Sequence, residues 1–246
     1  MPSVLAAPPP AGTPVPPAIA RLAEHHPVEL VWQNETGGIT ARIDRPSGSV
    51  YVKWSPAGSG ESLADEAERM RWLAQAGSLT VPRVVAHAAD AAGATLVTAA
   101  IDAASIVSAA GLRDPERAAA ALGEGLRRLH ALPVAGCPFP APDWTASALD
   151  HASAIGGTGP DDRVVCHGDP CAPNTLIADG RFAGLVDLGR VGVGDRWSDL
   201  AIASWSLEWN GLAEAEPAFW RAYGIERDAV RVARWRALWD PPVDDD

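Results

Sequence analysis

Asp169 and Asn174 stand five residues apart in His167-Gly168-Asp169-Pro170-Cys171-Ala172-Pro173-Asn174, and Asp187 follows thirteen further on in Asp187-Leu188-Gly189. One carboxylate that can take a proton from a hydroxyl, followed by an amide oxygen and a second carboxylate that can hold a hard cation, is the ligand set of a phosphoryl-transfer site. Asp169 is then the expected catalytic base, and Asn174 and Asp187 the expected magnesium ligands. Arg190 either stabilises transferring charge or pairs with a nearby carboxylate. His167 reads as a structural histidine whose ring bonds hold the loop. Asp199 is its expected partner, with helix N-capping as the plainer role. Cys166 and Cys171 flank the loop and read as packing residues.

Lys53 is the single lysine beside nineteen arginines. Where guanidinium replaces ammonium almost everywhere, a retained lysine marks a place for a compact charge. It lies in the alternating segment Ser49-Val50-Tyr51-Val52-Lys53-Trp54, which predicts a strand. The next helix is expected to start at Ser62, with Asp65 three residues on in a variant of the capping box. Leu63, Ala67, Met70 and Leu73 form its apolar stripe, and Glu66 falls inside that stripe. A carboxylate on a buried face needs a cation, and Lys53 is the candidate; the alternative is a stripe-edge Glu that reaches solvent.

These residues need a scaffold. Residues 163–166 predict a short buried strand. Residues 175–178 and 182–186 predict a hairpin around Asp179-Gly180, a strong turn signal. It would carry Asn174 and Asp187 to one end, level with Asp169. Upstream, strands are expected over 28–33, 39–44, 49–54, 83–87 and 94–99, with the helix over 62–76 among them. Thr36-Gly37-Gly38 sits in the first turn, where backbone N–H groups could approach phosphate oxygens or simply close a hairpin. Residues 101–105 read as a connection. Helices are expected over 115–131, 144–154, 198–209, 214–223 and 226–238. Six late tryptophans (Trp197, Trp205, Trp209, Trp220, Trp235, Trp239) read mostly as helix-packing residues, with one or two walling a substrate site. The fold class is α+β. The division is a disordered proline-rich arm over 1–18, a nucleotide-binding lobe over 19–100 and a mainly helical lobe over 101–246.

Composition narrows the partners. The net charge is −11, which disfavours nucleic acid and suits a cationic small molecule drawn to an acidic site. The Asp244-Asp245-Asp246 run reads as a solvated tail. Three cysteines without metal spacing point to a reducing compartment and a cytoplasmic protein. No apolar stretch approaches the ~20 residues of a membrane span, and nothing indicates a protein partner.

Taken together, the motifs resemble those of the aminoglycoside 3′-phosphotransferases, antibiotic kinases with a protein-kinase-like fold of two lobes. The resemblance is densest over Val164 to Ala203, which carries His-Gly-Asp-x-x-x-x-Asn, Gly-Arg-Phe-x-Gly, Asp-x-Gly-Arg and Asp-Leu-Ala. Leu129-His130, Cys137-Pro138-Phe139 and Tyr223-Gly224-Ile225 extend it. It implies ATP, with GTP as the alternative donor, and Mg2+. It implies that Lys53, held by Glu66, contacts the α- and β-phosphates. Thr36, Gly37 and Gly38 fall on the phosphate loop, and Tyr51 on an aromatic that stacks on adenine. Ala99 and Ile101 offer hinge backbone groups to the base. Glu208 and Asp240 are the expected acidic contacts for a cationic acceptor, with Asp143, Asp150, Asp161 and Asp162 as further candidates. The segment before His167 is shorter than in typical members, and the C-terminus differs. The implied reaction is therefore phosphorylation of an aminoglycoside 3′-hydroxyl, with a sugar, amino alcohol or other antibiotic as the alternative acceptor. An inactive nucleotide-binding protein is the third reading.

Overall fold

The computed structural model describes residues 6–77, 79–142, 144–145 and 162–240. Asp143, Asp150 and Asp161, the acidic tail, and the helix expected over 144–154 beyond Thr145 lie outside them. The chain divides into two compact units, one of residues 1–75 with 82–101 and the other of 76–81 with 102–246.

The first unit begins with β1 (Ala6–Ala7), α1 (Pro17–Ala23), β2 (Val28–Asn34), β3 (Ile39–Ile43) and β4 (Val50–Pro56). It continues with α2 (Leu63–Ala76), β5 (Val84–Asp90) and β6 (Gly93–Ala99). The strands make one antiparallel sheet in the order β1-β2-β3-β4-β6-β5. Alternation decides its faces. Ile39, Ala41, Ile43, Val50 and Val52 are buried in one apolar cluster with Ile19 and Ala23 of α1. Tyr51 and Lys53, the odd positions of β4, lie on the opposite face. Within the expected arm over 1–18, two short segments take regular structure. Ala6 and Ala7 pair with Asn34 and Gln33, and Pro17 opens a helix. Proline's missing N–H costs nothing at a first turn, so a proline-rich stretch can still begin one.

The second unit holds β7 (Ala104–Ser105), α3 (Pro115–His130), β8 (Arg163–Cys166), β9 (Thr175–Ala178), β10 (Arg181–Leu185) and β11 (Gly192–Asp195). The helices α4 (Arg196–Trp209), α5 (Glu216–Tyr223) and α6 (Ala229–Trp239) complete it. Three strands pair as β10-β9-β7 and two as β11-β8. The turn joining β9 and β10 has positive φ at both central residues, 50° at Asp179 and 70° at Gly180, as a two-residue hairpin requires. The core is built from α3, α4, α5 and α6, with Leu122, Leu126, Leu200, Leu207, Phe219 and Trp235 among its members. Small residues let these helices close up. A Cβ on Gly123 of α3 would come within 2.3 Å of the Phe219 carbonyl oxygen.

Candidate active site

In the first unit, β4 and α2 place the ammonium. Lys53 Nζ donates to both carboxylate oxygens of Glu66, at 3.0 and 2.8 Å. Glu61 lies at 3.9 Å. Glu66 is buried on the apolar face of α2 with Leu63, Ala67, Met70 and Leu73, so Lys53 supplies the charge that its burial demands. Ser62 Oγ accepts the Asp65 N–H at 3.2 Å and fixes the start of α2. Tyr51 is half-buried on the face of β4 that carries Lys53, and its side chain bonds Arg42.

Two segments expected to bind nucleotide have backbone groups engaged within the unit. The N–H of Gly37 donates to the Asn34 carbonyl at 3.2 Å, and that of Gly38 to Asn34 Oδ1 at 2.6 Å. The Thr36 hydroxyl donates to the same Oδ1 at 2.9 Å. Both glycine amides are thus engaged by Asn34 inside the hairpin. At the other end, the Ala99 N–H donates to the Arg83 carbonyl at 2.9 Å, so it is held by the sheet and not offered to a base. Ile101 is the last residue of this unit.

In the second unit, the loop from His167 to Asn174 is held by backbone bonds. Asp199, fully buried, accepts the His167 N–H at 2.6 Å and the Gly168 N–H at 3.0 Å. The expected partnership of Asp199 with the His167 ring is therefore corrected: it grips the loop's amides, and the helix cap is Asp195, which accepts the Trp197 N–H. The His167 ring does hold the loop. Its Nε2–H donates to the Val186 carbonyl at 3.1 Å, and its Nδ1 accepts the Asp169 N–H at 3.4 Å. A neutral imidazole satisfies both. Gly168 has φ 80°, and a Cβ there would lie 2.3 Å from the Arg190 carbonyl oxygen. Only glycine fits.

Hydrogen bonds tie the three predicted segments to one another. Asn174 Nδ2 donates to the Asp169 carbonyl at 3.0 Å, which leaves its amide oxygen as an acceptor. Val186, next to Asp187, donates to the Asn174 carbonyl at 2.9 Å. The Cys171 thiol is pushed well above its usual range by burial and by the nearby Asp169 and Asp187 carboxylates, so both carboxylates lie around the same sulfur. Asp187 has φ 58°, a left-handed backbone that costs energy outside glycine and collects at functional sites. Asp169 Oδ1 is buried with no hydrogen-bond partner among the described residues. Such an oxygen carries a desolvation cost that a proton donor or a cation would relieve. Oxygen-only donors and an orphaned carboxylate oxygen fit a magnesium ion and an incoming hydroxyl.

Of the other expected residues, Arg190 has its backbone against Gly168 of the loop. Arg190 is exposed and makes no ion pair among the described residues. Glu208 pairs with Arg236 at 3.3 Å. Asp240 is the exposed C-cap of α6. Asp162 is held by Arg231 at 2.8 Å and Arg196 at 3.5 Å. Of the tryptophans, Trp197, Trp220 and Trp235 are buried, while Trp209 is 47% exposed. Sequence reasoning gave no loop-backing contact to several residues that have one. His130 Nε2–H donates to Asp199 Oδ2 at 3.0 Å, and Tyr223 Oη lies 2.8 Å from His130 Nδ1. Trp144 Nε1 donates to the Gly168 carbonyl at 3.0 Å. Ser206 Oγ accepts the Ala172 N–H at 2.9 Å. None of these partners is near its target in sequence, so no local pattern reveals them.

Comparison with known proteins agrees with this chemistry. The phosphotransferase enzyme family (APH) matches over residues 40–155 and 143–235. An aminoglycoside 3′-phosphotransferase of Streptomyces fradiae is 32% identical, covering 89% of this chain and 97% of its own. The crystal structure of an aminoglycoside 3′-phosphotransferase of type VIII superposes with a TM-score of 0.73 at 30% identity, covering 90% of this chain and 96% of that one. The aminoglycoside phosphotransferase APH(3'')-Id from Streptomyces rimosus, solved with ADP and streptomycin, gives 0.67 at 27% identity, covering 89% and 94%. With a protein-kinase-like α+β fold and a family match over most of its length, the chain belongs to the phosphotransferase enzyme family.

Proposed function

We propose that this phosphotransferase transfers the γ-phosphoryl group of ATP to the 3′-hydroxyl of an aminoglycoside. The observation that supports the reading is Asp169 Oδ1, buried and unpartnered among the described residues, in a loop bonded to Asn174. The acceptor hydroxyl is read as donating to Asp169, which orients its oxygen for in-line attack and takes the proton. Asn174 and Asp187 are the residues that would hold magnesium, which neutralises charge on the phosphate oxygens when bound. Lys53, oriented by Glu66, is assigned to the α- and β-phosphates. Nucleotide use is supported by the relative solved with ADP. The acceptor class is supported by the 3′-phosphotransferase relatives. The acidic composition suits a polycationic acceptor.

A second reading keeps the chemistry and changes the acceptor to another hydroxylated amine or sugar. The observation favouring it is that Glu208 is neutralised by Arg236, which removes one expected acidic contact. ADP release with a panel of aminoglycosides separates the two. Turnover on aminoglycosides supports the first reading. Silence across the panel, with turnover on a simpler amino alcohol or sugar, establishes the second.

A further inference from the structure

Helix α4 grips the Asp169 loop twice. Asp199 takes the N–H groups of His167 and Gly168. Seven residues on, two helical turns along the same face, Ser206 Oγ takes the N–H of Ala172 at 2.9 Å. Ser206 is 1% exposed, so this bond is sheltered from water. Its hydroxyl is also within hydrogen-bond reach of the Cys171 thiol. Asn210, one turn further, fixes the serine: its Nδ2 donates to Ser206 Oγ at 3.2 Å and to the Ser206 carbonyl at 2.7 Å. The span between the two grips is Asp169-Pro170-Cys171, and Pro170 has no N–H to offer. Asp169 thus rides on a short bridge clamped at both ends by one rigid helix.

We infer that Ser206 is a positioning residue for phosphoryl transfer, holding the downstream end of the loop so that Asp169 keeps its place. The inference rests on the reading of Asp169 as the base. In-line transfer is sensitive to displacements of an ångström, whereas nucleotide and acceptor binding do not involve Ala172. Losing Ser206 Oγ therefore lowers turnover more than affinity.

The test is Ser206→Ala, with Ser206→Thr as the variant that keeps the oxygen. Amide hydrogen exchange of the peptide that carries Ala172 reads the loop directly, and peptides from α3 serve as the internal control. In Ser206→Ala, the Ala172 amide is expected to exchange about fivefold faster while α3 stays protected, because a buried amide has lost its acceptor. On any acceptor that the wild type turns over, kcat is expected to fall about tenfold with both KM values within about twofold. Ser206→Thr restores both. An unchanged Ala172 exchange rate, a wild-type kcat, or α3 opening together with the loop overturns the inference. If the wild type turns over no acceptor, the proposed function fails, and the exchange rates still decide whether Ser206 holds the loop.

Discussion

Asp169, the proposed base, carries one unsatisfied oxygen. Its Oδ1 is buried without a partner among the described residues, while its backbone is tied by His167 and Asn174. A general base of this kind contributes roughly 10²–10⁴ in rate. Asp169→Ala is expected to lower kcat by at least about a hundredfold and to leave Mg·ATP affinity within about threefold, measured by nucleotide titration. Loss of nucleotide binding would show that Asp169 serves the donor and not the acceptor. Asp195 makes a prediction of a different kind. Burial raises its carboxyl to about 6, against the lowering pull of the Trp197 N–H. Because the folded state holds this proton more tightly than the unfolded chain, the group favours folding below pH ~4. That contribution is lost as pH rises towards about 6. Asp195→Asn keeps the helix cap and removes the ionisation. Its melting temperature relative to wild type should therefore climb between pH 4 and 7; a constant difference would contradict the shift.

At the scale of elements, what the sequence made legible was local. Alternation in 39–43 and 50–54, the Asp179-Gly180 turn and the stripe of α2 each announced an element through a period or a turn residue. The Lys53–Glu66 pair was legible because a carboxylate inside an apolar stripe has few explanations. The pair also predicts an outcome. Glu66→Gln keeps the shape of α2 but removes the charge, and should cost about 1–2 kcal/mol of stability, less than a fully buried pair because Lys53 is partly exposed. It should also weaken nucleotide binding, since Lys53 loses its orientation. Wild-type affinity in that variant would detach Lys53 from the phosphates. What stayed illegible was long-range or atypical. β11 is Gly-Val-Gly-Asp, too rich in glycine to read as a strand until it pairs with β8. α1 hid behind its prolines. Asp199 grips amides more than thirty residues upstream, and no spacing rule encodes that. In the Thr36-Gly37-Gly38 turn, the use Asn34 makes of both glycine N–H groups was not legible either.

For the whole molecule, the question is which hydroxyl receives the phosphate. The chain carries 31 acidic residues against 20 basic ones, a balance that attracts polyamines over a range limited by salt screening. No helix among the described residues is long and apolar enough to cross a membrane. Both compact units hold residues assigned to the donor or to the chemistry, and the relatives match nearly their full lengths. Acceptor recognition is where this chain departs most from expectation, since Arg236 neutralises Glu208 and Asp162 is doubly paired. The most direct measurement is ADP release from Mg·ATP with an aminoglycoside that carries a 3′-hydroxyl and, in parallel, with its 3′-deoxy counterpart. The account predicts turnover on the first and none on the second. Equal turnover on both would contradict it and move the site of transfer to another hydroxyl.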